Sequence, residues 1–196
     1  MNKYVKAAFC VPLAGVKYVW LKLTHGKKFI GKFPVIMSPF TEITVEQDSE
    51  LLIGKKLKMH NGAKIRVRKG GKLEIGDNFG MSNGCVVTAY ERIKIGNNVM
   101  LGPNVLIYDQ DHDYKAEGGV SAMKFKTQPV IIGNNVWIGA NSLILRGTII
   151  GDNCVIGGGA VIKGEFPADT VIIQKRVTEG REYGKNTSLY RRFLIT

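Results

Sequence analysis

Asp109, Asp111, His112 and Asp113 stand together in the stretch DQDHDY. An imidazole changes charge near neutral pH, which suits it to take up and return a proton. A carboxylate beside it would hold one ring tautomer and raise its basicity. Three are in range, and the order of residues does not choose among Asp109, Asp111 and Asp113. The competing interpretation is an exposed acidic turn with an incidental histidine, because loops collect aspartate freely. Which one applies depends on what holds the stretch in place.

Other reactive types are sparse. Cys10, Cys85 and Cys154 form neither a CxxC pair nor a metal spacing, so a reduced, cytosolic chain is the simplest expectation. The histidines are His25, His60 and His112, with no two spaced for shared ligation. No metal is expected.

The elements that position these residues follow from one period. Ile132, Ile138, Ile144, Ile150, Ile156 and Ile162 recur every sixth residue. A helix repeats near 3.6 and a strand near 2, so neither explains the grid. A strand-like chain that bends after each short run does: every sixth side chain then enters one interior. Gly133, Gly139, Gly151 and Gly157 follow the isoleucines, where the backbone is expected to bend. The fifth positions, Val136, Ser142, Thr148, Cys154 and Ala160, are small enough for a crowded corner, and Phe166 at that position is expected to mark the end of the array. Earlier, ITVEQDSELLIG and IRVRKGGKLEIG align from Ile43 and Ile65, and Ile75 and Ile95 continue the series. Successive turns thus shorten from about 22 to 20 to 18 residues, the mark of a stacked, one-dimensional architecture. The expected fold is all-β, a parallel β-helix of three faces per turn.

The grid breaks once. Ile95, Leu101 and Ile107 share a register whose next member would be Asp113, whereas Ile132 starts another. Residues 108–131 are therefore an excursion from the coil, and a loop inserted in a compact repeat array is often functional. It carries the Asp–His cluster. Cys85 and Cys154 fall at small fifth positions and read as core residues, not nucleophiles.

The chain divides into a basic, partly helical segment (1–40), the coil (41–173) and a basic tail packing on the coil (174–196). Residues 1–32 hold seven lysines and no acid. Val5, Phe9, Leu13, Val16, Trp20 and Leu23 make a helical stripe, with Pro12 inside it predicting a kink or two short helices. The stripe is expected to pack on the end of the domain; the alternative is a basic amphipathic segment on an anionic membrane. Residues 3–23 faintly resemble a signal peptide, but lysines interrupt the apolar run and no cleavage pattern follows. No apolar stretch is long enough to span a bilayer, so the expected location is the cytoplasm, at the inner face of the membrane if the basic segment rests there. The net charge of +12 admits nucleic acid, an anionic membrane or a phosphorylated cofactor. Basic residues gather at the two ends with few aromatics between them, which argues against nucleic acid.

The tandem [LIV]-G-x4 pattern over roughly residues 43–173 resembles the hexapeptide-repeat acyltransferases. DQDHDY is similar to the D-H-D stretch of their sugar O-acetyltransferase branch. The resemblance implies left-handed coils, against the usual crossover hand. It implies a homotrimer with clefts between subunits, acetyl-CoA as co-substrate, and direct acetyl transfer to a sugar hydroxyl of a surface polysaccharide or its precursor. His112 would be the general base. Trp137 in VWIGAN would line the acyl cleft, the alternative being an aromatic buried under the loop or at a subunit contact. Asn83 in MSNGC would bind acceptor or carbonyl oxygen. Trp137, Gly139, Ala140, Gly157, Lys163 and Lys175 would contact coenzyme A, with Arg146 and Arg176 as further cations for its phosphates. Backbone N–H groups near Gly139 would face the oxyanion. The chain departs from the family after the last coil, where VIIQKRVTEGREYG replaces the usual G-x-P-A-[KR] segment. Rival functions are acyl transfer to an amino acid or amino sugar, and a non-catalytic assembly scaffold. A carbonic anhydrase on this fold would need three histidines per zinc site.

Overall fold

All six isoleucines of the grid are buried, at 2% exposure or less. The computed structural model describes residues 3–32, 34–175, 177–180 and 191–194. The isoleucines lie on three parallel sheets of seven, seven and six strands that form the faces of a left-handed β-helix of about six turns. The first face runs from Phe29–Gly31 to Glu165–Phe166, the second from Val35–Met37 to Val171–Ile172, the third from Glu42–Val45 to Val161–Ile162. Each strand pairs with the one a full turn away. Leu51 sits on Leu73, Ile75 on Ile95, and Ile132 on Ile150, so the turns shorten as expected. The small fifth positions are all buried, and their polar groups are satisfied: Ser142 Oγ donates to Gly157 O and Thr148 Oγ1 to Leu145 O.

The corners work differently from the expectation. On the first and second faces the glycine after the isoleucine serves close stacking: a Cβ on Gly139 would meet Gly158 N at 2.5 Å and Ile156 O at 2.8 Å. The bend falls two residues later, on a left-handed residue, as at Asn135, Asn141, Gly147 and Asn153 with φ of 55°, 58°, 76° and 58°. Asparagine tolerates this conformation better than other side chains. The asparagines also ladder from coil to coil, Asn78 to Asn98 to Asn135 to Asn153 to Asp169, at 2.8–3.1 Å. One position earlier, each Asx carboxyl or amide oxygen accepts from a backbone N–H of the coil before it: Lys55 to Asp77, Asp77 to Asn97, Asn97 to Asn134, Asn134 to Asp152.

Phe166 does not end the array. The final turn is shorter still, which places Phe166 on Ile150 and Ile172 on Ile156. Phe166 takes the place of an interior isoleucine at the narrowing end. Beyond it, the Gln174 side chain accepts from Val161 N at 2.9 Å and donates to Val161 O at 2.6 Å. An amide thus takes the place of the next strand. Val177–Gly180 and Arg191–Leu194 pair antiparallel.

At the other end α1 spans Lys3–His25 as one helix with Pro12 inside. Pro12 lies on the exposed side of the helix, which continues through it as one element. The packing face is not the predicted stripe. Ala14 and Leu21 are buried, and the Tyr18 hydroxyl donates to Gly31 O. Val16, Trp20 and Leu23 are exposed; the side chains of Val5, Phe9 and Leu13 lie outside the described residues.

The excursion leaves the third face after Tyr108 and rejoins the first at Val130, which pairs with Ile93. Asp109 clamps its base. Its carboxylate is fully buried and accepts from Tyr90 N and Glu91 N at 2.8 Å each. Its carbonyl accepts from Gln128 N at 2.9 Å, at the returning end. Burial pushes the Asp109 carboxyl above the usual carboxylate range, and the N–H donors of Tyr90 and Glu91 oppose that.

Ile156→Ala is expected to cost about 2–5 kcal/mol in urea unfolding, the range for truncating a buried isoleucine. Asp109→Ala leaves two buried N–H groups without an acceptor, for a loss on the order of 2–4 kcal/mol. A raised carboxyl favours the fold while protonated and penalises it once ionised. The stability gap between parent and Asp109→Ala should therefore narrow as pH rises from about 4 towards neutrality; paired urea titrations would measure it, and a widening gap would contradict the assignment.

Candidate functional site

The excursion folds back as an antiparallel hairpin, Gln110–His112 against Phe125–Thr127. Alternation along a strand separates its side chains. Gln110 and His112 share one side and Asp111 takes the other. Asp111 Oδ2 accepts from Arg146 Nε at 2.6 Å, which ties the hairpin to the corner between the third and first faces. Asp113 pairs with Lys126 at 3.1 Å, and that lysine holds its carboxyl below the usual range.

Each of the three aspartates thus has a structural partner other than the histidine. The His112 ring, on an exposed residue, is positioned by an aromatic: its centroid lies 4.6 Å from that of Phe125, which lies 4.6 Å from Tyr90. Arg68 stands 5.7 Å over the Tyr90 ring. Beside His112, Gln110 Oε1 is buried without a hydrogen-bond partner, the only such side-chain atom among the described residues. Gln110, Phe125 and Tyr90 carry no sequence signal of their own; they meet only because the hairpin pairs in this register.

A second group of expected residues lies at the corner between the second and third faces. Trp137 stands out from the second face, 57% exposed, between Met100 and Val155. Gly139 N and Gly157 N both donate to carbonyls of the next coil, Ile156 O and Ile172 O, at 2.8 Å. They are not available to an oxyanion. Ala140 N–H makes no hydrogen bond, because the residue stacked beneath it is Gly158, which has no side chain to offer. At the first–second corner the equivalent N–H of Asn134 is taken by Asp152. Asn83 is exposed at this same corner, above Asn104.

Lys163 is exposed where the third face turns to the first, and Lys175 is exposed beyond the last coil. Arg176 lies outside the described residues. Within one chain, then, the histidine hairpin and the Trp137–Ala140 corner stand at different edges of the prism. A groove of about 760 Å³ along the first face, lined by Lys94, Asp77, Ile131 and Asp152 among others, includes none of the expected site residues. Among the described residues no cluster of His, Cys, Asp and Glu could hold a metal. Cys85 and Cys154 are free and buried, and burial raises the Cys85 thiol.

Residues 129–164 match the family described as bacterial transferase hexapeptide (six repeats). Galactoside O-acetyltransferase of Escherichia coli K12 is 33% identical over 106 residues, covering 52% of this chain and 50% of that protein. The structure of a maltose O-acetyltransferase from Clostridium difficile 630 has a TM-score of 0.53 at 27% identity, over 87% of this chain and 83% of that one. A mutant of AntD, an N-acyltransferase from Bacillus cereus in complex with dTDP and coenzyme A, has a TM-score of 0.62 at 20% identity, over 78% and 82%; that likeness is one of fold. The chain spans about half the length of the first curated relatives it matches. Residues 129–164 thus carry the bacterial transferase hexapeptide repeat, within a β-helix similar to that of the maltose O-acetyltransferase.

Proposed function

We propose that the chain transfers an acetyl group from acetyl-CoA to a sugar hydroxyl, in a surface polysaccharide or its precursor, with His112 as general base. The observation that carries this is the pairing of an exposed imidazole, held by Phe125, with the unmet buried acceptor of Gln110. His112 takes the proton of the attacking hydroxyl as its oxygen bonds to the acyl carbon, and returns it to the departing sulfur. Gln110 Oε1 is buried, so it accepts from a second hydroxyl of the same sugar as its side chain turns outward, and that bond fixes which oxygen faces the imidazole. Ala140 N–H is the free donor for the oxyanion. The thioester supplies an activated acyl group, so no nucleophilic residue is required.

Coenzyme A fits the second–third corner. Trp137 offers an exposed ring, the Gly157–Gly158 pair leaves the edge uncrowded, and Lys175 supplies an exposed cation beyond the last coil, with Lys163, on the third–first edge, facing the cofactor of the neighbouring copy. Because the two groups of residues occupy different edges, a cleft holding both must form between copies. A closed ring of three copies, with one chain's hairpin against the next chain's Trp137 edge, supplies three such clefts. The similarity to galactoside and maltose O-acetyltransferases supports the sugar hydroxyl. Among the described residues no helix is long and apolar enough to cross a membrane, and we place the reaction in the cytoplasm.

Acetyl-CoA consumption with nucleotide sugars, oligosaccharides and lipid-linked glycans tests the acceptor; turnover only with amino acids or amino sugars would replace the hydroxyl by an amine. His112→Ala should lower transfer roughly 10²–10⁴-fold, with unfolding and coenzyme A affinity unchanged, and parent-like activity would remove His112 from the mechanism. Gln110→Ala should reduce kcat/KM for the acceptor by up to about tenfold, the worth of one neutral hydrogen bond. Light scattering should give a trimer, and an active monomer would overturn the shared cleft.

A further inference from the structure

Helix α1 has two faces with different tasks. Ala14, Tyr18 and Leu21 pack on the first coil, and Lys17 Nζ reaches across to donate to Thr41 O and Thr41 Oγ1. The opposite face carries Val16, Val19, Trp20 and Leu23, at 69%, 54%, 57% and 79% exposure. Spacings of three and four place these four side chains on one ridge. Phe40, 77% exposed on the first coil, adds a second large apolar group at the same end of the molecule. An apolar ridge of this kind is uncommon on a water-facing helix, and contiguous apolar patches mark interaction sites.

Charge identifies the occupant. The first 41 residues contain seven lysines and neither aspartate nor glutamate. Of these lysines, Lys22, Lys28 and Lys32 are exposed around the helix and first coil, whereas Lys17 is engaged by Thr41 and lowered by burial. The carboxylate that acts on Lys17, Glu42, is already paired with Lys64 and Arg66, so an apolar ridge flanked mainly by cations complements a surface with an apolar layer beneath an anionic one. We propose that the outer face of α1, together with Phe40, docks in the plane of an anionic lipid bilayer. Val16, Val19, Trp20 and Leu23 enter the headgroup boundary and Lys22, Lys28 and Lys32 meet lipid phosphates. The coil end bearing α1 then faces the membrane and the hairpin stands away from it. This inference is independent of the reaction proposed above, because binding is measured without turnover.

Full-length chain is sedimented with vesicles of phosphatidylcholine alone and of phosphatidylcholine with phosphatidylglycerol. Binding should be at least about tenfold stronger to the anionic vesicles and should fall as salt rises from about 0.05 to 0.5 M, as screening requires. Val16→Glu with Leu23→Glu should lose binding by about tenfold or more, with circular dichroism and thermal unfolding unchanged. Should that pair fail to fold, Lys22→Glu with Lys28→Glu reverses two exposed charges without touching the ridge and should abolish the anionic preference. Equal binding to both vesicles, or undiminished binding by the folded variants, would overturn the proposal. So would a fall in particle mass by light scattering on Val16→Glu with Leu23→Glu without any vesicle binding by the parent, which would make the ridge a contact between copies.

Discussion

Stacking at a single strand spacing is the constraint on which this molecule depends. Coils can lie that close only if each face sends a side chain inward at the same height in every turn, and if the corners leave no Cβ between turns. Isoleucine at 132, 138, 144, 150, 156 and 162 meets the first demand. Glycine after four of them meets the second, as at Gly139, where any side chain would collide with the next coil. The bend is then left to one residue per corner, and asparagine there both accepts the left-handed backbone and bonds to its counterpart above and below. Each demand is local, but it must be met at every turn, so an error at one height strains two neighbours.

Chemistry accumulates where that demand is relaxed. The excursion contributes nothing to the interior and is free to carry charge, provided its base is fixed. Asp109 fixes it twice over: its buried carboxylate accepts from backbone of the preceding coil, and its own carbonyl accepts from Gln128 N at the returning end. Arg146 anchors the hairpin to the coil through Asp111. The acidic residues around His112 thus serve mainly to place the hairpin, and the ring itself leans on Phe125.

What could be read from the order of residues divides along the same line. The isoleucine grid has one physical solution, so the β-helix, its shortening turns and the excursion were legible. The left-handed asparagines were in plain sight but indistinguishable from ordinary turn residues until their stacking was known. Phe166 was placed by counting sixes, and the last turn does not count in sixes. In α1 the described part of the apolar stripe, Val16, Trp20 and Leu23, lies on the exposed face, because Ala14, Tyr18 and Leu21 take the contact with the coil end. At the site, His112 and the aspartates were visible, but their partners, Phe125, Arg146, Lys126 and the amides of Tyr90 and Glu91, lie 13 to 35 residues away or in other coils. No local pattern announces them.

A solenoid of parallel strands ends in two rows of unsatisfied peptide groups, each a template for another strand. At one end α1 lies across the first coil and Lys17 takes up the Thr41 carbonyl. At the other, the Gln174 side chain offers Val161 an amide in place of a peptide and carries no backbone onward. On the third face, the geometry that lets fibrils lengthen indefinitely is thereby stopped: Val161 finds its hydrogen bonds in a side chain, and a further strand has nothing to add to there.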